Sequence, residues 1–224
     1  MSIRTRFFAA TYDSFMRSSE REGLTDMRRM LVDQAAGRAL EIGGGTGLNL
    51  PHYGPQVNSL TITEPDPSML KRLERRIKAD RPATTVLRAP AEDLPFEDGT
   101  FDMVVSTLVL CGVDDQPRAV REIRRVLRPG GTLLFLEHVR SDDPKAARKQ
   151  DRMNWLNRLV VCCECNRPTL HTIEEAGFEV GSLQNVSMPK APSFVRPAIV
   201  GAAVAPVRPP RGVDDQIPSI GSGR

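Results

Sequence analysis

No part of this sequence approaches the roughly 20 consecutive apolar residues that a membrane-spanning helix requires. The opening stretch MSIRTRFFAATYDSFMRSSE carries a short apolar patch, but Asp13 and Arg17 interrupt it before a secretory core can form. Charge of one sign is missing as well. The 31 basic and 28 acidic side chains nearly cancel, to a net +3, which does not suggest a nucleic-acid binder. Arginines cluster at Arg72, Arg75, Arg76 and Arg81 and again at Arg121, Arg124 and Arg125. These read as solvated helix faces, with a phosphate or anionic-lipid patch as the alternative. Cysteine is scarce too. Three of the four thiols, Cys162, Cys163 and Cys165, crowd into VVCCECN while Cys111 stands apart, a spacing that suits no disulfide framework. Zinc wants four ligands, typically as two separated pairs, and only His171 lies near in sequence, so no metal site is expected. Reduced thiols in or near a pocket wall are expected instead. These absences describe a cytoplasmic protein, with peripheral membrane contact left open and the oligomeric state unread.

What is present is a regular alternation. With 224 residues and 40% hydrophobic content the chain can bury one sizeable core, and a second full domain is not expected. Apolar groups at three- and four-residue intervals in FFAATYDSFM and LTDMRRMLVDQA predict helices across residues 3–36, with Thr25 as an N-cap and Gly37 as a stop. RALEI (38–42), SLTITE (59–64), TTVLRA (84–89), FDMVVS (101–106) and TLLFLEHV (132–139) read as strands. Between them lie a short helix in GLNLPHYG and a longer one in PDPSMLKRLERRIKADRP, which buries Leu70, Leu73 and Ile77 and stops at Pro82. QPRAVREIRRVLRPGG is an amphipathic helix closed by Pro129–Gly131. This alternation predicts an α/β fold, a doubly wound parallel sheet with helices on both faces. Two helical stretches, RKQDRMNWLNRLVVC and TLHTIEEAGF, precede the last strands, EVGSLQNVSM and SFVRPAIVGAAV. Those two join without a helix and so predict an antiparallel hairpin at one sheet edge. Residues 206–224, rich in Pro, Gly and Ser, read as a disordered tail.

The first strand runs into LEIGGGTGLNLPHY (40–53). In an open parallel sheet, ligands bind beyond the carboxyl ends of the central strands. Glycines there let the backbone approach a ligand and adopt positive φ. A dinucleotide fingerprint would place its third glycine at position 48, where this chain has Leu48; the glycine falls at 47 instead. Glu41, ahead of the loop, would repel a pyrophosphate and attract a cation. The combination favours S-adenosylmethionine, a cationic nucleoside whose carboxylate can face backbone N–H groups. Glu64, ending the second strand, suits ribose hydroxyls, which NAD would offer equally. APAEDLPF (89–96) lies where an adenine would rest.

Taken in order, ALEIGGGTG, ITEPDPSML, AEDLPFEDGTFDMVVS and EIRRVLRPGGTLLFLEH resemble the class I S-adenosylmethionine-dependent methyltransferases over roughly residues 10–205. The resemblance is nearest to the small-molecule branch that contains the quinone-biosynthesis C-methyltransferases. It implies a Rossmann-like, seven-stranded sheet in a single domain (1–205), with an N-terminal helical cap (1–36) and a helical lid insertion (144–176). It also implies that Glu41, Gly43, Gly45 and Gly47 line the methionine end of the cofactor and that Glu64 holds the ribose. Ser106 and Thr107 border the cofactor, Tyr12 and Asp13 lie over it, and Gly44, Pro65 and Met69 join the binding set. Where members often carry an Asp for the adenine amine, this chain has Pro90, which leaves adenine to backbone groups around Ala91 and Glu92. A narrower likeness, in STLVLCGVDDQ, VLRPGG, LEHV, Cys165–Asn166, AGF and VRP, is to the alkyl thiol methyltransferases. Their hydrophobic N-terminal anchor is not expected here.

His138, ending the fifth strand, is the acid–base candidate, because imidazole titrates near neutral pH; a structural histidine is the alternative. Asn49 and His52 reach the methionine end, the acceptor, or only the surface. Trp155 is expected in the core or on an apolar acceptor pocket, with Cys165 and His52 as further pocket candidates. STLVLC lacks the Asn-Pro-Pro-Tyr type of signature used by many DNA and protein amide methylators, which counts against those substrates. The expected activity moves a methyl group from S-adenosylmethionine to a small apolar acceptor: a thiol, a phenol or quinone carbon or oxygen, or a lipid amine. An NAD-dependent oxidoreductase and a non-catalytic cofactor-binding protein of the same fold are the alternatives.

Overall fold

The computed structural model describes residues 3–80, 83–161 and 163–207. Among these residues seven strands form one sheet: β1 (Gly37–Ile42), β2 (Val57–Thr63), β3 (Thr85–Leu87), β4 (Phe101–Thr107), β5 (Leu127–His138), β6 (Glu179–Ser187) and β7 (Pro197–Val204). Their order is β3-β2-β1-β4-β5-β7-β6. The first five pair in parallel, and β7 runs antiparallel between β5 and β6. This is the doubly wound sheet with an antiparallel edge that the strand spacing predicts, in the Rossmann-like, seven-stranded form that the family resemblance implies. Strand order reverses between β1 and β4, so the crevice above their carboxyl ends is where such a sheet takes a ligand.

Six helices accompany the described strands: α1 (Ile3–Ser19), α2 (Thr25–Val32), α3 (Pro67–Asp80), α4 (Gln116–Val126), α5 (Pro144–Val161) and α6 (Thr169–Glu175). Alternation along β1 shows why both sheet faces are covered. Leu40 and Ile42 enter one core with Val104, Ile123, Phe135 and Phe178. Ala39 enters the other, with Leu31, Ile62, Leu73 and Leu134. α4 follows from its sequence. Asp115 caps it by accepting from the Arg118 amide at 3.0 Å, Pro117 sits in its first turn, and Ala119, Val120, Ile123 and Val126 are buried. None of the helices among the described residues is long and apolar enough to cross a membrane.

Three local expectations need correction. Thr25 is not an N-cap: its backbone is already helical, and its hydroxyl donates to Glu20 Oε2 at 2.8 Å. The chain reaches it through a wide turn, Glu20–Leu24, that kinks at Glu22 and at Gly23, whose φ is 126°. RPGG does not close α4 as a loop. Leu127 pairs with Phe101 and Gly130 donates to the Ala205 carbonyl, so β5 starts five residues early, with a register shift opposite Phe101–Met103. α2 ends at Val32 rather than at Gly37, which instead opens β1. Arg81, Pro82, Cys162 and residues 208–224 of the expected tail lie outside the described residues.

One arginine fixes the loop after β3 onto α4. Arg125 donates to the carbonyls of Leu94 and Phe96 at 2.9 and 2.7 Å, while pairing with Glu122 and Asp98. Glu122 completes the tie by accepting from the Leu94 amide at 2.9 Å. Because the fork geometry serves two carbonyls and two acids at once, Arg125→Ala is expected to cost about 1–2 kcal/mol in urea unfolding, allowing for partial exposure. Arg125→Lys should recover less than half of that loss, since an ammonium cannot reproduce the fork.

Candidate active site

The crevice rests on the turn from Gly43 to Gly47. Gly43, Gly45 and Gly47 have φ of 57°, 56° and 86°, a left-handed backbone that costs a residue with a Cβ about 1–2 kcal/mol. Space separates the glycines further. A Cβ on Gly43 would meet Val109 at 2.7 Å, one on Gly47 would meet Leu50 at 2.8 Å, and one on Gly44 would collide with Ile62. Protein packs against all three. On Gly45 a Cβ would meet nothing nearer than the Gly43 carbonyl oxygen at 4.0 Å. Its open side is therefore a cradle that no side chain fills, and it fits the close approach of a bound cofactor.

Glu64 stands beside that cradle. Its Oε2 accepts from the Gly45 amide and its Oε1 from the Asp66 amide, both at 2.8 Å, and burial raises its pKa. Met69 is buried on α3, its amide donating to Asp66, whereas Pro65 is exposed and offers its carbonyl to Arg88. The loop is also clasped from above. Thr46 donates to Asp13 of α1 at 2.6 Å, and Arg76 of α3 donates to the other Asp13 oxygen at 3.1 Å.

Behind the loop lies a buried polar network. Glu41, only 3% exposed, accepts from Asn49 Nδ2 at 3.0 Å and from the Tyr53 hydroxyl at 2.8 Å. Burial pushes its carboxyl up to about 7, with Tyr53, Asn49 and Arg28 pulling the other way. Asn49 also donates to Thr107 Oγ1 and accepts from Arg28, which in turn pairs with Glu20. Asn49 and Tyr53 thus hold Glu41 in place. His52 is half-buried on the short turn Leu50–His52, with its pKa lowered by burial and by Arg28. In the segment after β3, where the sequence places an adenine, Ala91 packs into the core with Leu94. The Glu92 carboxylate turns away to accept from the Asp114 and Asp115 amides at 2.8 and 3.3 Å.

Next to this crevice is a cavity of about 730 Å³, within the roughly 300–1,000 Å³ common for small-molecule sites. Its apolar wall includes Phe15 and Met16 of α1, Leu108, Leu156 of α5, and Phe194 and Val195 from the β6–β7 connection. Tyr12, Cys111, His138, Asn157 and Cys163 supply polar groups. Cys111 and Cys163 Sγ lie 3.6 and 3.3 Å from His138 Nδ1. All three described cysteines are free. The Cys163 hydrogen bond and burial raise the Cys111 pKa well above the usual thiol value. Leu108 and Lys190, with φ of 60° and 57°, are the non-glycine residues in left-handed backbone among those described, and both border this cavity. Such strain concentrates at functional sites.

A second buried acid organises the cavity's inner end. Glu137 accepts from Ser106 Oγ at 2.6 Å and from the Val109 and Cys111 amides at 3.0 and 3.4 Å. Burial raises its pKa. It thereby sets the course of the chain after β4.

The structure brings Tyr12 and His138 to this cavity but not three other candidates. Trp155 is neither core nor pocket wall: it is 67% exposed, because the helical turn that points Leu156 inward carries its neighbour out. Cys165 is wholly buried behind the wall, where it packs with Cys111, Cys163 and Val195. His52 lies outside the lining, and His171 is exposed and paired with Glu175 rather than near the thiols. Several residues escaped the sequence reading. Arg28 leaves a trace, since it occupies a position in the stripe Leu24, Leu31, Val32 where an apolar residue would stand. Glu137 leaves one too, as a charge inside the buried run TLLFLEH. Asn157 and the pairing of Cys163 with Cys111 leave none.

Comparison with known proteins gives this geometry a context. The family model for a methyltransferase domain matches residues 40–135. A thiol S-methyltransferase of Homo sapiens is 32% identical over 209 residues, covering 88% of this chain and 82% of that one. A ubiquinone/menaquinone biosynthesis C-methyltransferase of Shewanella sediminis is 34% identical over 139 residues, 58% of this chain and 55% of that one. Among solved structures, geranyl diphosphate C-methyltransferase of Streptomyces coelicolor, in complex with Mg2+, geranyl diphosphate and S-adenosyl-L-homocysteine, has a TM-score of 0.64. The match covers 81% of this chain and 78% of that one at 15% identity, a likeness of fold.

Gly45→Ala should leave the fold within about 1–2 kcal/mol of the parent while weakening S-adenosylhomocysteine binding at least about tenfold in calorimetry, because its Cβ enters the cradle. Gly44→Ala should instead lower the unfolding free energy by about 1–3 kcal/mol, because its Cβ overlaps Ile62 and crowds Leu73. The Glu41 carboxyl is held near 7 in the fold against about 4.5 as its ordinary value. Its neutral form is therefore the favoured one, so its contribution to stability is complete below about pH 4.5 and is lost as pH rises through about 7. The stability of Glu41→Gln relative to the parent should accordingly rise between about pH 4.5 and 7 and level off above that, by at most about 3 kcal/mol in denaturant titrations. A difference that stays flat with pH would mean that the carboxyl titrates normally.

Proposed function

Because this chain belongs to the S-adenosylmethionine-dependent methyltransferases, we propose that it methylates the thiol of a small apolar molecule. The observation that carries this reading is the cavity, whose wall is mostly apolar, with Ser18, Ser19 and Lys190 as further polar groups, and which gathers two thiols and an imidazole together. When bound, S-adenosylmethionine supplies a methyl group already activated by its sulfonium. Gly45 and Glu64 are the residues that would hold it, with Asn49 and Glu41 supporting the loop beneath. The remaining task of the protein is to hold the acceptor in line and keep water out, which can account for about 7–11 kcal/mol of barrier. The cap helix α1 and the lid helix α5 serve that task through Phe15, Met16 and Leu156.

Acid–base chemistry favours sulfur among the open acceptors. A free thiol ionises near ~8.5 and needs little help, whereas a phenol near ~10 needs more. The cavity wall presents no carboxylate among the described residues, and His138 is the one imidazole on it. The human relative's name, thiol S-methyltransferase, agrees. A quinone-ring carbon is the second reading, favoured by the Shewanella relative, and it would need His138 as base. Free thiols also suit the reducing cytoplasm expected from the sequence.

Hexanethiol, a phenol and a quinol should be compared as acceptors by mass spectrometry, with S-adenosylhomocysteine binding measured by calorimetry. The thiol is expected to turn over fastest. His138→Ala should lower kcat/KM at least about tenfold for the quinol, whose carbon needs a base, and leave the S-adenosylhomocysteine Kd unchanged. Preference for the quinol would favour the carbon acceptor, and binding without any turnover would favour a non-catalytic protein.

A further inference from the structure

The inner end of the cavity holds more than a hydrogen-bonded histidine. We propose that Cys111, His138 and Cys163 bind a zinc ion whose fourth position opens on the cavity and receives the acceptor's sulfur. Three separate elements deliver these groups: the loop after β4, the end of β5, and the segment after α5. Their donor atoms all lie within 4.8 Å of one another. With Zn–S near 2.3 Å and Zn–N near 2.0–2.1 Å, a tetrahedral ion holds sulfur and nitrogen about 3.6 Å apart. The two Sγ–Nδ1 separations here are 3.6 and 3.3 Å. Little movement is needed to admit the ion.

The donor set selects the metal. Two soft sulfurs and an imidazole with no carboxylate suit zinc and disfavour magnesium or calcium. Three protein ligands with one open position is the arrangement of a reactive zinc rather than a structural one. The open side faces the cavity, because all three residues line it. Cys165, which lines nothing and is wholly buried, is not a fourth ligand. The surroundings hold the ligands still. The Glu164 amide donates to the Cys111 carbonyl at 2.8 Å, Asn157 Nδ2 to the Cys163 carbonyl at 2.8 Å, and Thr169 Oγ1 to the His138 carbonyl at 3.2 Å. Such outer contacts fix ligand orientation.

In this arrangement His138 is a ligand, not a base. The ion deprotonates the thiol it binds, and the proton leaves to solvent. The two cysteine thiolates already cancel the ion's charge, so the acceptor sulfur keeps its negative charge and its nucleophilicity. Its lone pair forms the new bond to the methyl carbon, and the breaking bond returns its electron pair to the donor's sulfur. The role of the ion rests on the thiol-methylation reading above; its binding does not.

The test uses the full chain, kept reduced with a phosphine and stripped with a chelator. Titration with Co2+ alone should give one tightly bound equivalent, with a thiolate-to-cobalt charge-transfer band and tetrahedral d–d bands, displaced by one equivalent of Zn2+. Hexanethiol should shift those bands. Cys111→Ser and Cys163→Ser should each weaken the metal at least about tenfold, and Cys165→Ser should not. The spectrum of the parent chain decides the matter even if a variant does not fold. An octahedral, solvent-like cobalt spectrum overturns the site. Should the stripped protein bind S-adenosylhomocysteine and methylate hexanethiol at the zinc-loaded rate, the ion's role falls and thiol methylation stands. Should cobalt bind as described while no thiol is methylated, the site stands and the thiol reading falls.

Discussion

A carboxylate placed in a protein core must be satisfied or it will not stay, and Glu41 is satisfied from several directions. Tyr53 and Asn49 donate to it, Asn49 ties it to Thr107 at the end of β4, and through Asn49 it is linked to Arg28 of α2 and onward to Glu20 at the helical kink. The glycine turn leaves β1 directly above this knot. Its course is therefore set by a network reaching the adjacent strand and the N-terminal helices, as well as by its own dihedral angles. Loss of any one partner would leave a buried charge or donor unpaired, a larger penalty than the bond itself is worth.

Glu137 has the matching role at the end of β5. Where Glu41 steadies the glycine turn, Glu137 steadies the loop that carries Leu108 and Cys111 to the cavity wall. Ser106, expected to border the cofactor, spends its hydroxyl on Glu137. Two acids at the ends of parallel strands that flank β4 thus build two adjoining compartments. One is lined by backbone and suited to a polar ligand. The other is lined by hydrocarbon, sulfur and imidazole.

The sheet was legible because parallel strands buried on both faces read as short apolar runs separated by amphipathic helices. The glycine turn was legible because its requirements are local. Gly45 needs positive φ and empty space, and Glu64 needs only to end β2. What stayed hidden depends on distance along the chain. Cys163 and His138 meet across 25 residues and Cys111 and His138 across 27, and no spacing rule connects them. Trp155 was misplaced for another reason. Residue type suggests burial, but α5 has polar residues all round and no clear stripe to say which face turns inward. RPGG misled in the same way, since Gly130, with positive φ, serves the irregular start of β5 as readily as a helix end.

α1 does two jobs at once. Through Phe15 and Met16 it walls the cavity, and through Asp13 it grips Thr46 on the glycine turn. Gly23, with its φ of 126°, marks the kink at which this arm joins α2. The two compartments therefore have no separate doors. A shift of α1 would loosen the Thr46 clasp and the cavity wall together. In enzymes closed this way, turnover is often paced by how quickly the arm opens rather than by the bond that is made.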